Sequence, residues 1–370
     1  MNIALQKTLE LLLIIAIGVL LQRKVPKKEQ LDGLKTLILN VALPATIFLA
    51  LLKIDFNLKL IALPILALLF NFLMFFASRY LLPLFIPIES NKKRRTLSML
   101  IPSLAPGLSC FPFIIAYLSE EELALAALAD VGNKLFGLLL LYLVAMHWYH
   151  QRKTQKQFRS NKTKLINLTL TLLKEPINVV IVIGLLMLIA GINPSIFPEF
   201  IQNTIDRFSV MMVAMVLLFI GLAVRIKWRE FGFMFQLLSW RSGMALLFSA
   251  LVLLVIPAPS LSVSLLIIAF PQSACSFWPF AHMNAVDSLE ERDQKTKKTF
   301  DLNFAVTILA CSLPFSTFMI IGIFHFGNSI VDPFILGGIG LTLVMVSLIC
   351  RLVSYLRPIV KNAIVEKVVN

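Results

Sequence analysis

The chain has little charge for its length. Of its 370 residues only 15% are Asp, Glu, Lys or Arg, against about 25% in soluble proteins. Hydrophobic residues make up 58%, so a soluble globular domain is excluded. The net charge of +14 comes from short Lys/Arg clusters between apolar stretches, which is typical of membrane-orientation signals. This distribution also argues against nucleic-acid binding.

The sequence also lacks the motifs of several function classes. No glycine-rich phosphate-binding loop, His-Glu-x-x-His motif or pair of catalytic carboxylates is present, so we expect neither an ATP-driven pump nor an enzyme. There is no arginine ladder of a voltage sensor. No Cys/His spacing resembles a metal site, and we expect no metal and no cofactor. The four cysteines all lie in apolar stretches, where we expect buried thiols: Cys110, Cys275, Cys311 and Cys350.

Long apolar segments dominate the chain instead. A bilayer core of about 30 Å requires about 20 apolar residues of helix. Eleven segments qualify, and the first has neither the basic start nor the cleavage site of a signal peptide, so we expect it to be retained. The segments are 4–21, 34–52, 58–82, 97–118, 123–146, 176–193, 203–224, 234–256, 261–284, 301–325 and 334–356.

Every second loop is basic, and this alternation predicts the orientation. Lys and Arg are concentrated in five loops and the C-terminal tail, while the intervening loops are acidic or neutral. Since basic loops stay in the cytoplasm, we expect the N-terminus outside and the C-terminus inside a multi-pass protein of the cell (inner or plasma) membrane. The five basic loops are 22–33, 88–96, 147–175, 225–233 and 286–299.

Two matching helix interruptions suggest an internal repeat. Pro112 and Pro279 each lie in the fourth segment of a five-segment unit, and paired interrupted helices point to the central site of a secondary transporter. Five is odd, so the second unit must be inserted upside down. We therefore predict an all-α membrane protein of about ten helices in two inverted repeats, 1–146 and 176–325. A basic loop, 147–175, joins them, and 334–370 adds one more transmembrane helix and a tail.

The fifth segment carries the most informative polar cluster. Asp130 and Lys134 are four residues apart and share a helix face, and Asn133 lies beside them near the expected bilayer midplane. One interpretation is that this face lines a substrate cavity. The other, for Asp130 and Lys134, is an internal ion pair that holds the helix in the bundle. Asn133 favours the first interpretation.

Other polar residues are candidates of the same kind. Asn40, beside Pro44 in the second segment, is either a ligand contact or part of a structural kink. Asn303 is a substrate-binding candidate, and Asp301 is a coupling residue or a charge at a helix N-terminus. His282 follows Pro279 by about one turn. It is a packing histidine or the carrier of a coupling proton, because imidazole titrates near neutral pH.

The chain resembles the auxin efflux carrier family, the bacterial and plant group that includes malate permeases. The resemblance covers residues 4–325 and depends on the order of several short motifs. They are Leu39-Asn40-Val41-Ala42-Leu43-Pro44-Ala45, Phe111-Pro112-Phe113, Phe270-Pro271-Gln272-Ser273-Ala274 and Trp278-Pro279-Phe280. The extra eleventh segment and the charges of Asp130 and Lys134 depart from the family pattern.

The resemblance implies a function and a site. Family members have ten helices, and their fourth and ninth helices cross at prolines, here Pro112 and Pro279, with an organic anion bound beside the crossing. A small organic acid is therefore the expected substrate, moved by alternating access, and the resemblance suggests a homodimer. One alternative is a sodium-coupled bile-acid-type symporter, and another, of a different class, is a non-transporting membrane sensor or scaffold that docks a partner on loop 147–175.

Overall fold

The computed structural model describes most of the chain. The described residues are 3–25, 27–52, 58–88, 90–151, 176–190, 196–223, 231–256, 260–292 and 298–348, with 166, 170, 174 and 192 singly. They form helices and short connections without any strand, which confirms the all-α class. Most of loop 147–175, and the tail 349–370, lie outside the described residues.

The described residues contain the following helices, in chain order. They are α1 (Ile3–Leu21), α2 (28–51), α3 (58–85), α4 (Asn91–Leu100), α5 (106–117), α6 (Glu120–Gln151), α7 (Pro176–Ile189), α8 (Glu199–Ala223), α9 (Phe231–Val255), α10 (Leu261–Gln272), α11 (Trp278–Arg292), α12 (Leu302–Phe326) and α13 (Pro333–Leu348).

Several of these helices are long and apolar enough to cross a membrane. Within the described part of the chain six meet both conditions: Glu29–Leu51, Ala62–Phe85, Glu120–Gln151, Glu199–Ala223, Gly232–Val255 and Leu302–Ile330. Large apolar side chains are exposed along them, for example Ile65 and Phe318 at 61% and 67%. Such surfaces are unfavourable in water and fit a hydrocarbon solvent, so the protein is embedded in a membrane.

The fourth and ninth apolar segments are each split into two helices. Residues 101–105 separate α4 from α5, and residues 273–277 separate α10 from α11. The first interruption lies earlier than the predicted Pro112, because Pro106 is the proline that begins the new helix. Proline suits a first helical turn, where its missing N–H has no intrahelical acceptor. Pro279 occupies the second position of α11. Pro112 likewise occupies the second position of the helical stretch Phe111–Tyr117, which a turn at Cys110 separates from the first part of α5, so the predicted Pro112 also follows a break in the helix.

Short polar residues fix where four helices begin. Ser90, Ser119, Ser260 and Asp301 each accept a hydrogen bond from a main-chain N–H in the first turn of α4, α6, α10 and α12. These caps satisfy donors that a helix start leaves open. They also place the acidic run after Ser119 at one end of α6, which is stabilising at a helix N-terminus.

In the part of the chain that the structure describes, three helices contain a π-helical turn. One turn, Ile38–Ala42, precedes Pro44 in α2, and another, Ala77–Leu81, precedes Pro83 in α3. The wider turn accommodates a proline that offers no N–H to the helix. The third turn, Phe136–Leu140, lies in α6 directly after Lys134 and involves no proline.

Glycines allow three close helix contacts. A Cβ on Gly18 of α1 would lie 2.9 Å from the Cα of Gly221 of α8, and Gly132 of α6 lies directly against Pro64 of α3. Small residues are typical of such crossings in membrane proteins. In α13 a Cβ on Gly340 would meet Gly243 O of α9 at 3.0 Å, while Gly338 faces open space.

Candidate functional site

A cavity of about 320 Å³ lies where the two interruptions meet. Its wall combines α2 and α7 on one side with α5, α6 and the start of α11 on the other. Three of the predicted site residues, Asp130, Asn133 and Lys134, line it. The remaining lining residues are Lys35, Leu39, Leu104, Ala105, Pro106, Gly107, Leu108, Gly137, Ile177, Ser276, Phe277 and Trp278.

The two interrupted segments bond directly to each other. The N–H of Ala105 donates to the carbonyl of Ala274 at 2.8 Å, and the N–H of Ala274 donates to Ser109 Oγ at 2.9 Å. The N–H of Ser276 donates to Ser103 Oγ at 3.2 Å. Non-helical backbone at membrane depth needs protein partners, and each interruption supplies them to the other. The crossing is therefore a defined structure with a fixed register.

Asn133 holds one of the interruptions from the side. Its Nδ2 donates to the carbonyl of Leu104 at 2.9 Å, and its Oδ1 accepts from the N–H of Leu104 at 3.1 Å. The same amide donates to Asp130 Oδ1 at 2.8 Å and accepts from Asn71 Nδ2 at 3.2 Å. The side chain of Asn133 thus satisfies both main-chain polar groups of Leu104, which has no helical partners there. Asn133 is therefore a structural support of the cavity as well as part of its wall.

Asp130 and Lys134 form a buried ion pair. Lys134 Nζ lies 3.5 Å from Asp130 Oδ2, and the two side chains are 8% and 5% exposed. Lys134 also donates to Asn178 Oδ1 of α7 at 3.4 Å. A buried charge requires a partner, and the i,i+4 spacing on α6 supplies one. The pair links α6 to α7, as the ion-pair interpretation expects, and its two residues also line the cavity.

Lys35 supplies a second cation, which is not among the predicted site residues. It lies on α2, where its Nζ is 5.0 Å from the centre of the Phe277 ring. Phe277 and Trp278 begin α11, so a lysine, two aromatic rings and a helix N-terminus meet at one side of the cavity. The available signal was a charged residue at the start of the predicted apolar segment 34–52.

Arg241 is the functional candidate that sequence reasoning missed. It lies in the middle of α9 and is only 3% exposed. Its guanidinium donates from Nε to the carbonyl of Ile101 at 3.0 Å and from Nη2 to that of Ser273 at 2.7 Å. One arginine in an apolar segment of 23 residues hardly lowers the mean hydropathy of the segment, so the mean hydropathy does not reveal Arg241. An ionisable residue inside a membrane segment was the available signal.

Two predicted binding residues do not reach the cavity. Asn40 and Asn303 are both exposed, on α2 and α12 respectively. Asp301 lies outside the cavity as well. It caps the N-terminus of α12 and forms an ion pair with Lys92, with Oδ2 3.3 Å from Nζ. This placement matches the alternative that Asp301 is a helix-end charge.

His282 lies behind the cavity wall. Its Nε2 donates to the carbonyl of Gly137 at 3.0 Å, and its ring meets Tyr142 edge-on at 5.5 Å between centres. Gly137 belongs to the π-helical turn of α6, whose widened backbone leaves this carbonyl accessible. His282 therefore packs α11 against α6. Pro112 and Pro279 are buried beside the crossing and are absent from the cavity lining.

The chemistry of the site is that of binding. The described residues contain no group of three His, Cys, Asp or Glu side chains that could hold a metal ion. The cavity offers two ammonium groups, one carboxylate, one amide, several main-chain groups and an apolar wall. No protein-family model and no curated protein matches the chain.

Proposed function

We propose that the protein is a secondary active transporter that moves a small organic anion through the cavity at the crossing. The observation that carries this proposal is the placement of Lys35, Lys134 and Asn133 in one cavity beside two interrupted helices. Half-helix ends at the centre of a membrane bundle are the usual place for a transporter's substrate. The volume of the cavity suits an organic acid of metabolite size better than a single inorganic ion.

The charge of the cavity favours an anion. Two lysines and one aspartate line the cavity, which leaves one positive charge in excess. Asp130 forms an ion pair with Lys134, so the excess charge is that of Lys35. The start of α11, a helix of 15 residues, adds the partial positive charge of a helix N-terminus. A carboxylate at this end contacts Lys35 beside the start of α11, while Leu39, Leu108 and Ile177 cover its apolar part.

The finer architecture belongs to the same proposal. We infer two inverted five-helix repeats, with α4–α5 and α10–α11 as their interrupted fourth helices and α13 as an addition. The packing supports a division into two groups, because α8 packs on α1 and α2 and α7 packs on α2, while α6 packs on α3. The cavity lies between these groups, so rocking of one group against the other would open it to alternate sides.

Organic acids are expected to stabilise the purified protein. A ligand that binds only the folded state raises the thermal midpoint in proportion to the logarithm of its excess over Kd. We expect mono- and dicarboxylates to raise it, and matched amines and neutral amides to leave it unchanged. Lys35→Met should remove the response, since it deletes the cation nearest the start of α11.

The control for this measurement is Lys24→Met. Lys24 is exposed and lies outside the cavity, so this variant loses the same charge from the protein and should respond to acids like the parent. Uptake or efflux of the best acid in proteoliposomes should follow the same order. A midpoint raised by amines or neutral amides, with no response to any carboxylate, would contradict an organic-anion transporter.

The proposed orientation makes a separate prediction. Cysteines introduced at Ser90 and Ser160, in a protein without native cysteines, should react with an impermeant maleimide only when it has access to the cytoplasmic side. Both positions lie in loops with a local Lys/Arg excess. A cysteine in the acidic run at Glu121 should react from outside. Labelling of position 160 from outside would exclude the inverted repeat.

A further inference from the structure

Arg241 makes its contacts at the one place where four half-helices converge. Its guanidinium donates to the carbonyls of Ile101 and Ser273, and Nη2 also lies 3.4 Å from the carbonyl of Ser103. Ile101 directly follows α4 and Ser273 directly follows α10, so each is the C-terminal capping residue of its helix. One side chain thus binds the C-terminal ends of both interrupted helices.

These carbonyls form an electronegative cluster. The last carbonyls of a helix have no intrahelical donor, and the helix dipole adds partial negative charge to them. Here two such ends face each other inside a membrane protein, away from water. Unwound carbonyls and half-helix C-termini at a crossing are the groups that coordinate Na⁺ in cation-coupled transporters. A cation at this position offsets the partial negative charge of the carbonyls.

Arg241 provides that cation permanently. Within the described residues no carboxylate lies within ion-pair distance of Arg241, so the carbonyl cluster is its counter-charge. A planar guanidinium can donate to several acceptors in fixed directions, which a lysine ammonium does less well. Leu104, Ala105 and Ser276 of the cavity wall lie one to three residues after the carbonyls of Ser103 and Ser273, so the contacts of Arg241 help to hold this part of the wall.

We propose that Arg241 is a built-in substitute for a coupling cation at the crossing, and that substrate binding in this protein is therefore independent of sodium. Arg241 is a positioning residue, since it lies outside the cavity lining and acts through the interrupted backbone. The statement about sodium depends on the proposed transport function, whereas the statement about the carbonyl cluster does not. Sodium independence would argue against the sodium-coupled symporter, the alternative that the sequence leaves open.

Chemical rescue tests the occupancy of the carbonyl cluster. Arg241→Ala removes the guanidinium and leaves three buried carbonyls without their donor. We expect its thermal midpoint to fall roughly 5 °C or more below that of Arg207→Ala, an exposed arginine on α8. Guanidinium ion at concentrations far below denaturing ones should restore about half or more of this loss, and choline should restore none. Arg207→Ala should show no such response.

Two results would overturn the role of Arg241. One is an Arg241→Ala protein as stable as Arg207→Ala, and the other is a destabilised one that guanidinium does not restore. If Arg241→Ala yields no folded protein, Arg241→Lys replaces it in the comparison. Arg241→Lys keeps the charge but loses the fork, so it should be less stable than Arg207→Lys. Equal midpoints for these two lysine variants would equally refute the proposal.

Sodium independence is tested on the parent protein. The midpoint shift caused by the best organic acid should be the same in sodium chloride and in choline chloride at equal ionic strength. A shift present only in sodium would overturn the proposal. Failure of the transport function has a different signature: no acid shifts the parent in either salt, while the guanidinium rescue of Arg241→Ala remains.

Discussion

Gly132→Ala is expected to remove most of the folded protein. The new Cβ would overlap the main-chain oxygen of Pro64 and lie 2.7 Å from its carbonyl carbon. Both atoms belong to the backbone of α3 and cannot rotate away, so α3 and α6 must separate. Overpacking in a close contact typically costs 1–3 kcal/mol, and a rigid backbone neighbour places this substitution at about 3 kcal/mol. The amount of monodisperse protein and its thermal midpoint measure the effect.

The effect should extend to the candidate site. Asn71 of α3 donates to Asn133 of α6 at 3.2 Å, and this bond requires the close approach that Gly132 permits. Gly322→Ala is the matched control, because Gly322 lies within α12 and an added Cβ there meets no atom within 4 Å. It should be neutral or slightly stabilising. A Gly132→Ala protein with the midpoint of Gly322→Ala would show that α3 and α6 do not meet as described.

The long elements could be predicted because their cause is simple. Membrane thickness sets the length of an apolar helix, so segment length and composition were sufficient for most helices. The interruptions were also visible, since proline is the residue that breaks an apolar helix. Their positions were less certain. Pro106 and Pro112 both lie in the fourth segment. Which of them follows the longer non-helical stretch depends on which main-chain groups can form hydrogen bonds with the other interruption.

The candidate site was predicted where local spacing determined it. Asp130, Asn133 and Lys134 share a face through helical periodicity alone, and all three line the cavity. Asn40 and Asn303 are single polar residues in apolar segments, and the local sequence does not determine which face of such a helix points to the cavity. Both are exposed. Lys35 and Arg241 reach the crossing from other helices, and only the three-dimensional packing brings them there.

Removal of one member of the Asp130–Lys134 pair is expected to cost more than removal of both. Asp130→Asn leaves Lys134 as a buried charge without its carboxylate, and Lys134→Met does the same to Asp130. Breaking a buried pair in this way typically costs 3–5 kcal/mol. We expect each single variant to lose about that much stability, and the double variant Asp130→Asn/Lys134→Met to regain most of it. The midpoints of the parent and the three variants form a double-mutant cycle.

The double variant should regain stability without regaining the ability to bind organic acids. Lys134 is the buried cation that a substrate carboxylate can share with Asp130, and the double variant lacks it, so organic acids should no longer raise its midpoint. The pair Asp287–Lys298, with Oδ1 2.9 Å from Nζ, is the control because it is more exposed and distant from the cavity. Asp287→Asn should change stability little and leave the acid response intact. A double variant that binds and transports acids like the parent would make the pair a purely structural link between α6 and α7, and Lys35 would then be the cation that receives the substrate.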